Sequence, residues 1–325
     1  MHLKNFPEAR STSAVNLTME NTQPQLRKDL TTEKQNPNSH RIDKKSVSEI
    51  LNIINREDQA IAAKVQAVLP AIEKAVNLAV ETIRSGGHIY YIGAGTSGRL
   101  GVLDASEIPP TFSAPRDWFR GVIAGGREAL VRSIEGAEDI PEAAVEALTG
   151  AGFTGNDMLI GIASSSATPY VVHALEWAGE IGAGTAYIIC NPRPLLDITV
   201  DSLIAVDVGP EILTGSTRLK SGTATKMVLN MISTTTMIKI GKVYGNLMVD
   251  LSAVNQKLVD RGSRIIEQLT DLSYEQAKDQ LFAANKEVKT AIVMTHKNCS
   301  KDQARRLIVE HKGILRDIIG DVAGQ

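Results

Sequence analysis

Several features that mark other classes of protein are scarce or missing in this chain of 325 residues. Cysteine occurs only at Cys190 and Cys299, without the paired spacing of a disulfide framework or a zinc site. The 35 basic and 37 acidic residues leave a formal net charge of -2, which gives no electrostatic indication of binding to nucleic acid or to an anionic membrane. No apolar run approaches the roughly 20 residues of a membrane span, and the first residues lack a secretory apolar region. We therefore expect a cytoplasmic protein that binds neither nucleic acid nor membrane.

A glycine-rich turn follows the first segment with strand character. Residues 88–92 are β-branched and aromatic, and residues 93–98 then read GAGTSG. Glycines permit a tight turn and close approach of a ligand, while hydroxyls and the free amides of a starting helix donate to an anion. The segment predicts a phosphate site at Gly95, Thr96 and Ser97.

Two better-known phosphate loops match this turn only in part. A P-loop has a Lys-Ser/Thr pair after its last glycine, and none is present here. The spacing G-x-G-x-x-G is the dinucleotide fingerprint, but that site also needs an acidic residue at the end of the next strand. The next apolar segment, residues 119–123, ends instead in Ala124-Gly125-Gly126. The pattern favours a phosphorylated small molecule over a nicotinamide nucleotide.

Apolar and helical segments alternate through the middle of the chain. Strands are predicted near 88–92, 119–123, 157–162, 185–190 and 203–207, and helices near 127–135, 141–148 and 169–181. Such alternation predicts an α/β fold with a doubly wound, mainly parallel, five-stranded sheet. Because ligands of these folds bind at the carboxyl ends of the strands, the loops 93–98, 124–126 and 163–168 are expected to converge.

Two further segments have the composition of pocket walls. Ser164, Ser165 and Thr168 precede a helix that Pro169 opens, which indicates a second anion site. Helix capping alone also explains these hydroxyls. Ser216 and Lys220 lie in a run of small, hydroxyl and basic residues and are expected to line the same pocket, although solvated charges beside a helix start fit that run too.

The two ends of the chain differ from its middle. Residues 1–45 are polar and predict an extended arm, with a disordered tail as the alternative. Residues 46–255 hold the alternating pattern, and their first apolar stripe predicts a helix, or a helix pair, bent at Pro70. Residues 256–325 predict a small helical subdomain, because capping-box patterns begin at Ser273 and Ser300.

Five segments, read together, resemble one family: residues 93–107, 134–139, 213–220, 227–234 and 245–250. They are similar to the N-acetylmuramic acid 6-phosphate etherases, lyases with a single sugar isomerase (SIS) domain, and the resemblance runs from about Leu30 through nearly all of the remainder. It implies a SIS-type sheet in residues 46–255 and a homodimer with the pocket near the subunit interface. We expect the arm at about 30–45 to reach the partner. No metal or other cofactor is implied, and the six histidines show no ligand spacing.

The resemblance also implies a chemistry for two carboxylates. The family's substrate carries a D-lactyl ether at carbon 3, so removal of the proton at carbon 2 of the opened sugar permits elimination of lactate. By similarity, Glu138 is the base at carbon 2. Glu107 protonates the departing lactate oxygen and then deprotonates the water that adds. The products are N-acetylglucosamine 6-phosphate and D-lactate.

Two other functions are possible for such a chain, and one of its motifs differs from the family's usual sequence. A sugar-phosphate-binding regulator similar to the glucokinase regulatory protein lacks the lyase activity, and an aldose-ketose isomerase needs no acid for a leaving group. Where the family commonly reads Ala-Ser-Gly-Arg-Thr-Pro, residues 164–169 read SSSATP, so an arginine is missing. The hydroxyls and amides that suit a phosphate remain.

Overall fold

Five short apolar segments form the central sheet, as the alternating pattern predicts. The structure, a computed structural model, describes residues 27–251, 253 and 255–322. The strands are β1 (Ile89–Gly93), β2 (Phe119–Ile123), β3 (Met158–Ile162), β4 (Gly184–Ile189) and β5 (Ser202–Ala205). All pair in parallel in the order β2-β1-β3-β4-β5. The chain therefore reverses its direction of winding between β1 and β3, which is where such sheets bind ligands.

Helices cover both faces of the sheet, so the doubly wound prediction is confirmed. One face packs against α2 (Ile61–Gln66), α3 (Leu69–Arg84), α4 (Gly95–Phe112) and α7 (Lys220–Lys239). The other face packs against α5 (Glu142–Gly150) and α6 (Pro169–Glu180). Strands β1 and β3 are buried along their whole length, because both of their faces are covered.

The helix pair predicted around Pro70 is confirmed as α2 and α3, and Pro70 lies in the first turn of α3, where its missing amide hydrogen costs nothing. A second local prediction is wrong. The helix predicted at 127–135 is a 3-10 helix at Gly126–Leu130, followed by irregular chain. The Arg99 guanidinium binds the carbonyl oxygens of Leu130 and Arg132 in that segment, so contacts distant in sequence replace helical ones.

The amino-terminal segment is packed against its own chain where it is described. Residues 27–44 form four 3-10 turns, and Leu30, Thr32, Asn36 and Ser39 are buried. Helix α1 (Val47–Gln59) follows, begins with a capping box at Ser46 and has no buried residue. Residues 1–26 of the predicted arm lie outside the described residues.

The carboxyl-terminal part is helical, as predicted. A small hairpin, β6 (Val243–Tyr244) and β7 (Leu247–Met248), leads to five helices. These are α8 (Gln256–Leu269), α9 (Tyr274–Ala283), α10 (Val288–Lys297), α11 (Lys301–Glu310) and α12 (Leu315–Ile319). They enclose a third apolar core, and the capping boxes at Ser273 and Ser300 are both formed. Among the residues that the structure describes, no helix has the length and apolar character needed to cross a membrane.

Candidate active site

A cavity of about 550 Å³ opens at the carboxyl ends of β1 and β3, a size typical of small-molecule sites. Its wall comes from the β1–α4 turn, the β3–α6 loop, the segment between β2 and α5, the segment between β5 and α7, and the amino-terminal segment. The lining residues are Lys28, Leu30, Glu33, Ala94, Gly95, Thr96, Ser97, Glu138, Asp139, Ile162, Ala163, Ser164, Ser165, Thr168, Pro169, Gly215 and Thr217. Seven of the ten predicted site residues are thus brought together, all but Glu107, Ser216 and Lys220.

The start of α4 forms one side of the cavity. Gly95 has a φ of 52°, in the left-handed region that favours glycine. A Cβ on Gly98 would lie 2.6 Å from the Gly93 carbonyl oxygen, so the turn closes only without side chains there. The residue before the helix, Ala94, has no side chain to cap it. The first amides of α4 and the hydroxyls of Thr96 and Ser97 are therefore available to an anion.

The start of α6 forms the opposite side. Thr168 precedes the helix but makes no side-chain cap, and Ser164 and Ser165 lie in the loop before it. Ser166, in the same loop, has a φ of 60° and is fully buried. Its hydroxyl accepts a hydrogen bond from the Leu195 amide (2.9 Å), which holds this loop conformation. Two uncapped helix N-termini, α4 and α6, therefore face one cavity.

The third helix N-terminus in this region is already occupied. The fully buried Glu211 carboxylate accepts from the amides of Lys220 (3.0 Å) and Ser221 (2.9 Å) at the start of α7. The Lys220 ammonium pairs with Glu57, at 2.7 Å between Nζ and Oε2, and lies outside the cavity lining. Ser216 lies between the lining residues Gly215 and Thr217 but does not line the cavity itself.

Glu57 joins three elements through that ion pair. Its carboxylate also accepts from the side-chain amides of Asn36 (2.9 Å) and Asn38 (2.7 Å). Burial raises the pKa of Glu57, but the hydrogen bonds from Lys220, Asn38 and Asn36 outweigh burial, and its pKa lies below the ordinary value of 4.5. The network fastens the amino-terminal segment and α1 to the start of α7.

Glu138 lies in an exposed segment that is anchored on its upstream side. It lies in a short 3-10 helix (Ala137–Asp139) that begins after Gly136, at a φ of 74°. Upstream, Arg99 on α4 fixes the chain through two backbone carbonyls, at 3.3 and 3.0 Å. Both Glu138 and the neighbouring Asp139 are exposed and line the cavity, so two carboxylates lie in its wall.

Glu107 lies elsewhere on α4. It is exposed and is separated from Gly95 by 12 residues of one helix, so about 18 Å of helix axis lies between them. That distance exceeds the length of a hexose phosphate. Within one chain, Glu107 and the turn at residues 93–98 are therefore too far apart to contact the same hexose phosphate.

Two kinds of relative match the chain. Residues 71–178 match the family described as "Glucokinase regulatory protein N-terminal SIS domain". An N-acetylmuramic acid 6-phosphate etherase of Salinibacter ruber is 50% identical over 292 residues, covering 90% of this chain and 94% of its own. A protein of the same name from Clostridium beijerinckii is 48% identical, covering 91% of this chain and 97% of its own. The chain belongs to the N-acetylmuramic acid 6-phosphate etherase family.

A solved structure is also similar in part. The chain matches a putative phosphosugar isomerase of Bacteroides fragilis at a TM-score of 0.45 and 23% sequence identity, over 58% of this chain and 91% of that one.

In this member of the etherase family, several residues that build the cavity were not predicted from the sequence. Lys28, Glu33 and Asp139 line it, and Arg99 positions the segment that carries Glu138. The buried Asn191 joins the amino-terminal segment to the Ser164 loop. The charge of Asp139, adjacent to Glu138, was a usable signal. The others depend on contacts between residues far apart in sequence.

Proposed function

We propose that this chain cleaves the D-lactyl ether of N-acetylmuramic acid 6-phosphate to give N-acetylglucosamine 6-phosphate and D-lactate. The observation that carries the proposal is a single cavity that combines two uncapped helix N-termini with the Glu138 carboxylate. Helix N-termini suit a phosphate, and a carboxylate suits proton transfer. The family membership supplies the substrate, since the relatives at 50% and 48% identity carry its name.

The phosphate binds between the starts of α4 and α6 in this proposal. Backbone amides of the first helical turns donate to its oxygens. The side chains assigned to it are the hydroxyls of Thr96, Ser97, Ser164, Ser165 and Thr168, with Gly95 allowing close approach. When these groups bind the phosphate, the sugar ring is held near Glu138.

Glu138 then acts as the base at carbon 2 of the opened sugar. The adjacent aldehyde acidifies that proton, and its removal leaves an electron pair that forms the double bond between carbons 2 and 3. The bond from carbon 3 to the ether oxygen breaks, and lactate leaves with a proton from an acid. Water adds to carbon 3 and a proton returns to carbon 2, so the net reaction consumes one water.

The acid that protonates lactate is proposed to be Glu107 of a second copy. Glu107 is exposed on α4 and lies about 18 Å along the helix from Gly95. Both facts favour a role for Glu107 in the cavity of a second subunit. Exposed apolar side chains support a homodimer: helix α1 has no buried residue and leaves Val47 and Leu51 73% and 60% exposed. In this homodimer each cavity is completed by its partner.

The remaining assignments follow from the same proposal. We assign catalysis to residues 46–255, with 256–325 as a helical subdomain and 1–45 as an amino-terminal segment whose described part, residues 27–44, packs against the catalytic domain. Because N-acetylmuramic acid is a component of peptidoglycan, the enzyme would serve peptidoglycan recycling. The phosphorylated sugar and the unpaired cysteines fit a cytoplasmic site of action.

The test is release of D-lactate from N-acetylmuramic acid 6-phosphate by the purified chain, followed with a lactate-specific assay. Stoichiometric lactate and N-acetylglucosamine 6-phosphate are expected. Binding of sugar phosphates without lactate release would indicate a regulator instead. Formation of a ketose from an aldose phosphate would indicate an isomerase.

A further inference from the structure

The charges around the cavity are unbalanced. Among the described residues that line it, Glu33, Glu138 and Asp139 carry carboxylates, whereas Lys28 alone carries a cationic side chain. The substrate of the proposed function adds a phosphate and a lactyl carboxylate to this surface. Amides and hydroxyls donate hydrogen bonds but carry no full charge, so the single cation has a large effect on binding.

Lys28 is available for that role. Lys220, Lys226, Lys242 and Lys289 each pair with a carboxylate of this chain. Within the described part of the chain, Lys28 has no such ion pair, and its side chain is exposed. A ligand oxygen therefore meets an ammonium that need not first break an internal salt bridge.

The chain beside Lys28 is firmly placed. We name residues 30–39 the strap; Leu30, at its start, is 1% exposed. The fully buried Asn191 accepts hydrogen bonds from the Thr31 hydroxyl (2.8 Å) and the Thr32 amide (3.4 Å). Its own amide group donates to the Ser164 carbonyl (2.9 Å) and the Thr32 hydroxyl (3.3 Å). All four hydrogen-bonding positions of Asn191 thus tie the strap to the loop at the start of α6.

We propose that the Lys28 ammonium pairs with an anionic group of the bound sugar phosphate and so sets substrate affinity. The substrate itself rests on the proposed function, but the need for a cation follows from the cavity. Lys28 is a binding residue in this proposal and takes no part in proton transfer.

Steady-state kinetics of Lys28→Ala with N-acetylmuramic acid 6-phosphate give the first test. Loss of a charge-assisted hydrogen bond is expected to raise KM about 10-fold with little change in kcat. Lys28→Arg should retain most of the affinity, and the KM of Lys28→Ala should depend less on ionic strength. Lys34→Ala is the matched control, because Lys34 is an exposed residue of the strap outside the cavity lining. Equal KM and salt dependence in wild type, Lys28→Ala and Lys34→Ala would overturn the proposal.

Calorimetric binding separates this inference from the proposed function. N-acetylglucosamine 6-phosphate presents only the phosphate, and N-acetylmuramic acid presents only the lactyl carboxylate. Weakened binding of either ligand to Lys28→Ala supports the proposal and identifies the partner group, while unchanged binding of both contradicts it. If wild type binds these ligands but releases no lactate, the proposed function fails and the assignment of Lys28 is still decided.

Discussion

Single side chains determine which helix N-termini around the cavity are capped and which are not. Glu211 satisfies the first amides of α7, whereas Ala94 and Thr168 leave those of α4 and α6 without a side-chain cap. Because an anion is favoured where helix amides are unsatisfied, the phosphate site is assigned to α4 and α6. The Lys220 ammonium, at the start of α7, forms an ion pair with the Glu57 carboxylate.

Because Glu138 is the proposed base, a conservative substitution of this residue should greatly lower the rate of lactate release. Glu138→Gln removes the base but keeps the size of the side chain, so kcat for lactate release should fall by about 10²- to 10⁴-fold with KM little changed. Glu135→Gln is the control, since Glu135 is exposed, bonds only to the Ser133 hydroxyl and does not line the cavity. Equal rates for the two variants would remove Glu138 from the mechanism.

The Glu57 carboxylate is expected to make a pH-dependent contribution to the free energy of unfolding. Its pKa in the folded chain lies below 4.5, so its stabilising effect is complete above that pH and is lost as the pH falls through the folded value. Glu57→Gln leaves the buried Lys220 ammonium unpaired and should cost about 3 kcal/mol at neutral pH.

Urea unfolding at several pH values measures this effect. The difference in unfolding free energy between wild type and Glu57→Gln should shrink as the pH falls below about 4.5. Asp58→Asn serves as the comparison, because Asp58 lies on the same helix outside the network. A difference for Glu57→Gln that stays constant down to pH 3 would contradict the assignment.

At the scale of elements, the strap is the least expected part of the site. It has little regular structure, yet it supplies Leu30 and Glu33 to the cavity wall and is fastened through Asn191 and Glu57. Its buried polar side chains, Thr32, Asn36 and Ser39, each have a hydrogen-bond partner on the sheet domain.

Substitution of Asn191 is expected to loosen the strap locally. Asn191→Ala removes the side chain that bonds to the buried amide and hydroxyl of Thr32, which should lower the unfolding free energy by about 1–3 kcal/mol. Amide hydrogen exchange should accelerate in the strap but not in α1, which has its own capping box at Ser46. Asn191→Asp keeps the two acceptor roles but sets a carboxylate against the Ser164 carbonyl, so it should loosen the strap as well. Unchanged exchange in both variants would show that Asn191 does not hold the strap.

The sequence predicts the elements whose structure depends on local pattern. The five strands, α5 and α6 have continuous or periodic apolar residues, and the turn at residues 93–98 has glycines where the backbone requires them. The strap has neither signal, because its partners are about 160 residues away in the chain. The irregular segment before Glu138 depends likewise on Arg99, which no periodicity indicates.

At the scale of the whole molecule, the cavity of one chain is an incomplete site for the proposed reaction. It holds Glu138 but not Glu107, so Glu107 can act at this cavity only from a second copy of the chain, as in the proposed homodimer. The cavity also contains Asp139, which offers a second carboxylate without a partner subunit.

Mixing two inactive variants distinguishes these arrangements. If Glu107 acts across the contact, a heterodimer of Glu107→Gln and Glu138→Gln contains one site with both glutamates. Random exchange at equal amounts should then restore about a quarter of wild-type lactate release. No recovery, with heterodimers verified by tags on each variant, would mean that both groups act within one chain. Full activity of Glu107→Gln combined with an inactive Asp139→Asn would make Asp139 the acid.

The central claim is that Glu138 takes the proton from carbon 2 of a sugar phosphate held in this cavity. The most direct measurement is the reaction of purified protein with N-acetylmuramic acid 6-phosphate in heavy water, with deuterium at carbon 2 and lactate followed together by NMR. The account predicts one deuterium at carbon 2 for each lactate released, and loss of both signals in Glu138→Gln. Lactate released without deuterium at carbon 2 would contradict it.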